Sequence, residues 1–121
     1  MANQTILVAD DSPTELRLIV SALQNKGYQI VTASDGEDAI EKANSERPHL
    51  AILDIIMPKK NGYQVLRQIR TTPETKDMKV MLLSSKNQES DLFWGIKQGA
   101  DEYMTKPFDE TALIETVAKL M

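Results

Sequence analysis

Residues 50–58 read Leu-Ala-Ile-Leu-Asp-Ile-Ile-Met-Pro. Four apolar residues run into one aspartate, and three more apolar residues and a proline follow it. An apolar run without alternation predicts a strand buried on both faces, as found inside parallel sheets. Residues 50–53 form that strand, and Asp54 sits where it ends. Open α/β sheets bind ligands beyond the carboxyl ends of their strands. A carboxylate there is costly unless it has a partner or a task, so Asp54 is the first candidate functional residue.

The rest of the chain alternates short apolar runs with amphipathic stretches. Strands are predicted over 6–9, 28–33, 50–53 and 79–83, with a short fifth inside 99–104. Ser12 suits an N-cap and Pro13 a first helical position. The helix they open carries Leu16, Ile19, Val20 and Leu23 at helical spacing and is expected to end at Gly27. A second helix over 37–45 places Ala39, Ile40 and Ala43 on one face, and Arg47-Pro48 closes it. Helices are also predicted over 63–70, 88–98 and 110–120. This alternation implies parallel strands joined by right-handed crossovers. The fold class is α/β: a (βα)5 flavodoxin-like three-layer sandwich with a five-stranded parallel sheet of order 2-1-3-4-5. The 121 residues suit one domain, so the expectation is a single domain over 1–121 with no output domain.

A parallel sheet brings all its strand ends to one edge. Asp10 and Asp11 follow the first predicted strand, Asp54 the third, Ser84 the fourth and Lys106 the fifth. Three carboxylates in a partly buried pocket repel one another unless a cation joins them. Magnesium fits, because it keeps several waters and needs only one or two carboxylates plus a phosphate oxygen. Asp54 is then able to act as a nucleophile toward phosphorus. Lys106 would offset charge on the phosphoryl oxygens, and Ser84 could hydrogen-bond one of them. Ser85 is the competing hydroxyl.

Composition narrows the alternatives. The chain has 18 acidic and 14 basic side chains and a net charge of -4, which argues against nucleic-acid binding through a basic surface. Cysteine is absent, which excludes disulfide, thiol and zinc-thiolate chemistry and permits a cytoplasmic setting. Residues 1–5 show no signal-peptide pattern, and no apolar run approaches the roughly 20 residues of a membrane span.

Asp10-Asp11, Asp54 within Leu53-Asp54-Ile55-Ile56-Met57-Pro58, Ser84 and Lys106-Pro107 together resemble the receiver domain of two-component response regulators. The resemblance extends from Ile6 to Leu120. It implies that Asp54 accepts a phosphoryl group from a histidine kinase or histidine phosphotransfer protein. It implies Mg2+ held by Asp11, Asp54 and the backbone carbonyl of Ile56, with Asp10 acting mainly through water. It implies a cis peptide between Lys106 and Pro107. It further implies a switch in which Ser84 moves toward the phosphate and Tyr103 swings inward, changing the surface of helix 4, strand 5 and helix 5, where an output target binds. Residues 94–101 are similar to regulators of type IV pilus motility, and a stand-alone receiver is similar to chemotaxis regulators. The expected protein is cytoplasmic and monomeric, with dimerisation linked to phosphorylation left open.

The chain departs from the family at Ser84, where threonine is commoner, and at Asn61, where aspartate is frequent. Ile56 and Lys86 flank the expected water entrance. A phosphorelay intermediate or phosphate sink is the alternative function. A magnesium-dependent phosphohydrolase needs an acid where Ile56 stands, and a flavodoxin-like redox domain lacks its phosphate loop here. Tyr103 is a switch residue or an edge-strand aromatic. Phe93 and Ile96 are expected to face the core. Leu92 is expected partly exposed, and Trp94 is either an exposed anchor or packed flat. His49 is expected to be structural.

Overall fold

The computed structural model describes residues 4–121; the part of the amino-terminal reading that falls on residues 1–3 lies outside them. The described residues form five strands and five helices in strict alternation. The strands are β1 Thr5–Ala9, β2 Gln29–Ala33, β3 Leu50–Leu53, β4 Lys79–Ser84 and β5 Glu102–Thr105. The helices are α1 Pro13–Gln24, α2 Gly36–Glu46, α3 Gly62–Thr71, α4 Glu89–Lys97 and α5 Glu110–Leu120. All neighbouring strands are parallel, in the order β2-β1-β3-β4-β5. Both the fold class and the strand order match the sequence reading.

The continuous apolar strands occupy the centre. Leu50, Ala51, Ile52 and Leu53 are all buried, as are Ile6 to Ala9 and Val80 to Ser84. Their side chains alternate between two cores. Leu7, Ala51, Leu53, Val80 and Leu82 point to one face, against Ala39, Ala43, Val65, Leu66 and Ile69 of α2 and α3. Ile6, Val8, Leu50, Ile52, Met81 and Leu83 point to the other, against Ile19, Ala22, Leu23, Leu113 and Val117 of α1 and α5. Helices on both faces leave the carboxyl edge as the open side of the sheet.

Local signals set the helix ends. The Ser12 hydroxyl accepts from the Glu15 N–H, with Pro13 at the helix start. The helix ends at Gln24, earlier than expected, and Gly27 takes φ +89° in the turn that follows. Asp35 caps α2. Asn61 and Gln64 form a reciprocal capping box at α3, which gives Asn61 a definite structural task. The Nδ1 of His49 accepts from the Thr5 N–H at 3.2 Å, the structural role expected of it.

Arg70 ties the far side of α3 to the sheet. Its guanidinium donates to the carbonyls of Lys76, Met78 and Gly99 and to Asp101 at 2.6 to 3.1 Å. Asp101 in turn accepts from the Val80 N–H at 2.8 Å.

α4 corrects one expectation. Phe93 and Ile96 do not face the core: they are 66% and 51% exposed. The residue that α4 buries is Gly95. A Cβ there would lie 2.8 Å from Leu82 Cδ1 and 2.9 Å from Tyr103 Cδ2. The helix thus approaches the sheet along the one position with no side chain. Phe93 stands two residues away, about 200° around the axis, and so points outward. Leu92 is half-buried. Trp94 is 45% exposed and lines a groove of about 510 Å³ between α3 and α4 with Tyr63, Arg67 and Gln98.

Gly95→Ala is expected to lower unfolding free energy by about 1–3 kcal/mol in urea titrations, because overpacking outweighs the gain in helix propensity. Phe93→Ala is expected to stay within about 1 kcal/mol of the parent.

Candidate functional site

The site is built by ladder hydrogen bonds that run past the strand ends. Asp10 N–H donates to the Ala33 carbonyl at 3.1 Å, and Asp54 N–H to the Ala9 carbonyl at 3.0 Å. Lys106 N–H donates to the Ser84 carbonyl at 2.9 Å. Each functional backbone is therefore fixed against its neighbouring strand. The Lys106-Pro107 peptide is cis. Behind β3, the Gly62 N–H donates to the Ile55 carbonyl at 2.9 Å, and a Cβ on Gly62 would strike the Asp54 carbonyl and approach Ile55 Cα at 2.8 Å. Gly62 lets α3 begin directly against the segment that carries Asp54.

Asp10, Asp11 and Asp54 each offer a carboxylate oxygen within 4.8 Å of the others. Asp10 and Asp54 are buried, while Asp11 is exposed at the mouth. The Lys106 ammonium reaches Asp10 Oδ2 at 2.7 Å, Glu15 Oε1 at 2.9 Å and Asp54 Oδ2 at 3.2 Å. One buried ammonium thus bridges three carboxylates, with Asp11 beside two of them. The second oxygen of Asp10 accepts from the Ser12 N–H at 2.9 Å, and Asp54 Oδ1 accepts from the Ile56 N–H at 3.3 Å. Excess negative charge, hard oxygen donors and an exposed entrance fit a small divalent cation.

Burial pushes the Asp54 carboxyl above the usual carboxylate range; the adjacent Lys106 ammonium pulls it back, and Asp10 pushes it further up. Burial also disfavours the Lys106 ammonium. Its hydrogen bonds to Asp10 and Glu15, with the charges of Asp54 and Asp10, outweigh that and hold it above an ordinary lysine.

The structure gathers Asp10, Asp11, Asp54 and Lys106 as the sequence reading expects. Ser84 is fully buried at the end of β4, with Ser85 exposed beside it. The Ser84 hydroxyl oxygen accepts from the Lys86 N–H at 3.3 Å. The Ile56 side chain is 55% exposed at the rim. Tyr103 is half-buried, and its hydroxyl donates to the Lys86 carbonyl at 2.7 Å. Glu15 was not anticipated. The pattern Ser12-x-x-Glu15 reads as a capping box, yet the Glu15 carboxylate reaches the Lys106 ammonium. Its place on the first turn of a helix that starts at the reactive edge was the available signal.

The model of the response regulator receiver domain family matches residues 6–118. The chain is a response regulator receiver domain. Receiver domains are phosphoacceptor switches of two-component signalling that bind Mg2+ at an acidic pocket. This receiver is 41% identical over 112 residues to protein PilH of Pseudomonas aeruginosa, covering 93% of each chain. It is 42% identical over 106 residues to the alkaline phosphatase synthesis transcriptional regulatory protein PhoP of Bacillus subtilis, of which it spans only 43%. Among solved structures, it superposes on the chemotaxis protein CheY4 of Vibrio cholerae with a TM-score of 0.92 at 28% identity, covering 99% of this chain and 100% of that one. Among the described residues of the receiver, no helix is long and apolar enough to cross a membrane.

The raised folded-state pKa of Asp54 has a defined sign. An acid that holds its proton more tightly when folded removes stability as pH rises from the unfolded carboxylate value, about 3.9, through the higher folded value. Asp54→Asn is therefore expected to be more stable than the parent in the absence of divalent cations at pH 7, with the difference shrinking toward pH 3. Saturating Mg2+ is expected to raise the parent's melting temperature and to narrow that difference.

Proposed function

We propose that Asp54 is the phosphoacceptor of this receiver. The supporting observation is a buried carboxylate at the end of the central strand with the Lys106 ammonium at 3.2 Å and two further carboxylates within 4.8 Å. An Asp54 carboxylate oxygen attacks the phosphorus of a phosphohistidine on a histidine kinase or histidine phosphotransfer protein. The new P–O bond forms as the P–N bond breaks, and the electron pair leaves with the imidazole nitrogen. Mg2+, held by Asp10, Asp11, Asp54 and the Ile56 carbonyl, would supply neutralising charge at the phosphoryl oxygens.

The chain's own groups do the rest. Lys106 keeps its proton throughout and offsets charge beside Asp54. The Ser84 hydroxyl exchanges its bond with the Lys86 N–H for one to a phosphoryl oxygen. Tyr103, whose hydroxyl sits on that same Lys86, follows as the switch residue. The output surface is the α4–β5–α5 face, and the exposed Phe93 and Ile96 of α4 support a protein partner there. The aliphatic Ile56 rim supports a switch, not a turnover phosphohydrolase. Similarity to PilH and to CheY4 supports a place in pilus-driven motility or chemotaxis signalling. A histidine-kinase donor and a cysteine-free chain suit the cytoplasm.

Acetyl phosphate with Mg2+ is expected to add the mass of one phosphoryl group to the parent and to Asp35→Asn, and none to Asp54→Asn. An unchanged gain in Asp54→Asn would sink the assignment. Lys106→Ala is expected to accept the group but to lose most of the coupled change at Tyr103 and α4, read as a tryptophan emission change smaller by at least about half.

A further inference from the structure

Two tyrosines that enter from different elements grip the same short segment. Tyr103 of β5 donates its hydroxyl proton to the Lys86 carbonyl at 2.7 Å. Tyr63, the second residue of α3, donates its own to the Asp91 carbonyl at 3.2 Å. Lys86 lies in the loop after β4, and Asp91 in the first turn of α4. The loop and helix start are thus held at both ends by phenolic hydroxyls.

The segment between the two grips is braced internally. The Asp91 carboxylate accepts from the Gln88 N–H at 3.1 Å, and its other oxygen lies 3.9 Å from the Lys86 ammonium. These contacts tie Lys86, Gln88 and Asp91 together. Both rings pack on the core cluster that contains Leu82 and Val65. Burial and then the Asp91 carboxylate push the Tyr63 phenol above the ordinary tyrosine range; burial, the neighbouring Tyr63 and then Asp91 do the same for Tyr103, so both hydroxyls are donors. Below the segment, Gly95 lets α4 rest on the Tyr103 ring with a clearance that a Cβ would close.

The clamp is wired to the site through one residue, Lys86. The Lys86 N–H donates to the Ser84 hydroxyl, while the Lys86 carbonyl accepts from Tyr103. When the Ser84 hydroxyl turns to a phosphoryl oxygen, the Lys86 N–H loses its acceptor or is drawn along with it. The second attachment of this segment is the Asp91 carbonyl, held by the Tyr63 hydroxyl.

We propose that Tyr63 is a positioning residue of the switch: it anchors the start of α4 at Asp91, so that a displacement of Lys86 by Ser84 is delivered to the outer face of α4. Only its consequence rests on Asp54 being the phosphoacceptor; the clamp itself is a property of the unphosphorylated chain.

Tyr63→Phe keeps the packed ring and removes one hydroxyl. In the unphosphorylated full chain, amide hydrogen exchange across residues 86–95 is expected to quicken about fivefold in Tyr63→Phe and in Tyr103→Phe. Treatment with acetyl phosphate and Mg2+ supplies the second readout. Trp94, the one tryptophan of the chain, lies three residues beyond Asp91 and reports on α4. Tyr63→Phe is expected to take up the phosphoryl group, by mass, at the parent's rate, with an emission change per phosphoryl reduced by at least about half. Exchange or emission in Tyr63→Phe equal to the parent's overturns the proposal, as does a parent whose phosphorylation leaves Trp94 unchanged. A parent that takes up no phosphoryl group overturns the Asp54 assignment instead, and the exchange measurement then decides the clamp alone.

Discussion

The Lys106 ammonium holds the carboxyl edge together. Asp10, Glu15 and Asp54 all lie within 3.2 Å of it, although they come from different elements. Without a cation among them, three acids this close would repel, and two of them are buried. The ammonium is itself buried, a position it holds because its partners outweigh its own desolvation. That balance is incomplete by design of the residue set: negative charge remains in excess, and Asp11 stands exposed at the entrance. The same imbalance that makes the site costly makes it receptive to a divalent cation and a phosphoryl group.

The sheet makes this arrangement possible. Parallel pairing sets the ends of β1, β3, β4 and β5 along one edge, and the order β2-β1-β3-β4-β5 makes Asp10 and Asp54 neighbours. Burial of both sheet faces leaves those ends little freedom. The contrast with α4 is physical. α4 meets the sheet through a glycine and turns its large apolar residues outward. Elements that bury little are the ones that open or shift at low cost. The molecule thus pairs a rigid edge, where charge is gathered, with a lightly packed helix.

Much of this was legible in the sequence. The unbroken apolar run 50–53 identified the central strand, and Ser12-Pro13 marked the first helix start. The alternation of elements implied parallel strands with right-handed crossovers, and the order 2-1-3-4-5 followed from the flavodoxin-like pattern. Asp10, Asp11, Asp54, Ser84 and Lys106 could be placed on one edge because each follows a predicted strand. Other features were not legible. Phe93 and Ile96 were expected inward because apolar residues usually are, whereas the approach to the sheet at Gly95 reverses the facing of α4. Glu15 was not singled out, since periodicity does not say which partner a side chain reaches. Arg70 gave no signal at all: its acceptors are backbone carbonyls, which carry no residue identity.

The sequence by itself determined the class of fold, the edge that carries the chemistry and the chemical types gathered there. These follow from hydrophobic period, turn residues and topology, which are local or nearly so. Tertiary structure alone decided that Lys106 is shared among three acids, that α4 rests on a glycine, and that Lys86 is held between Ser84 and Tyr103. Each of these depends on distances between residues far apart in the chain, set by how helices settle on the sheet. The aspartate at the end of the buried run was visible from the start; what surrounds it was fixed only when the strands lay side by side.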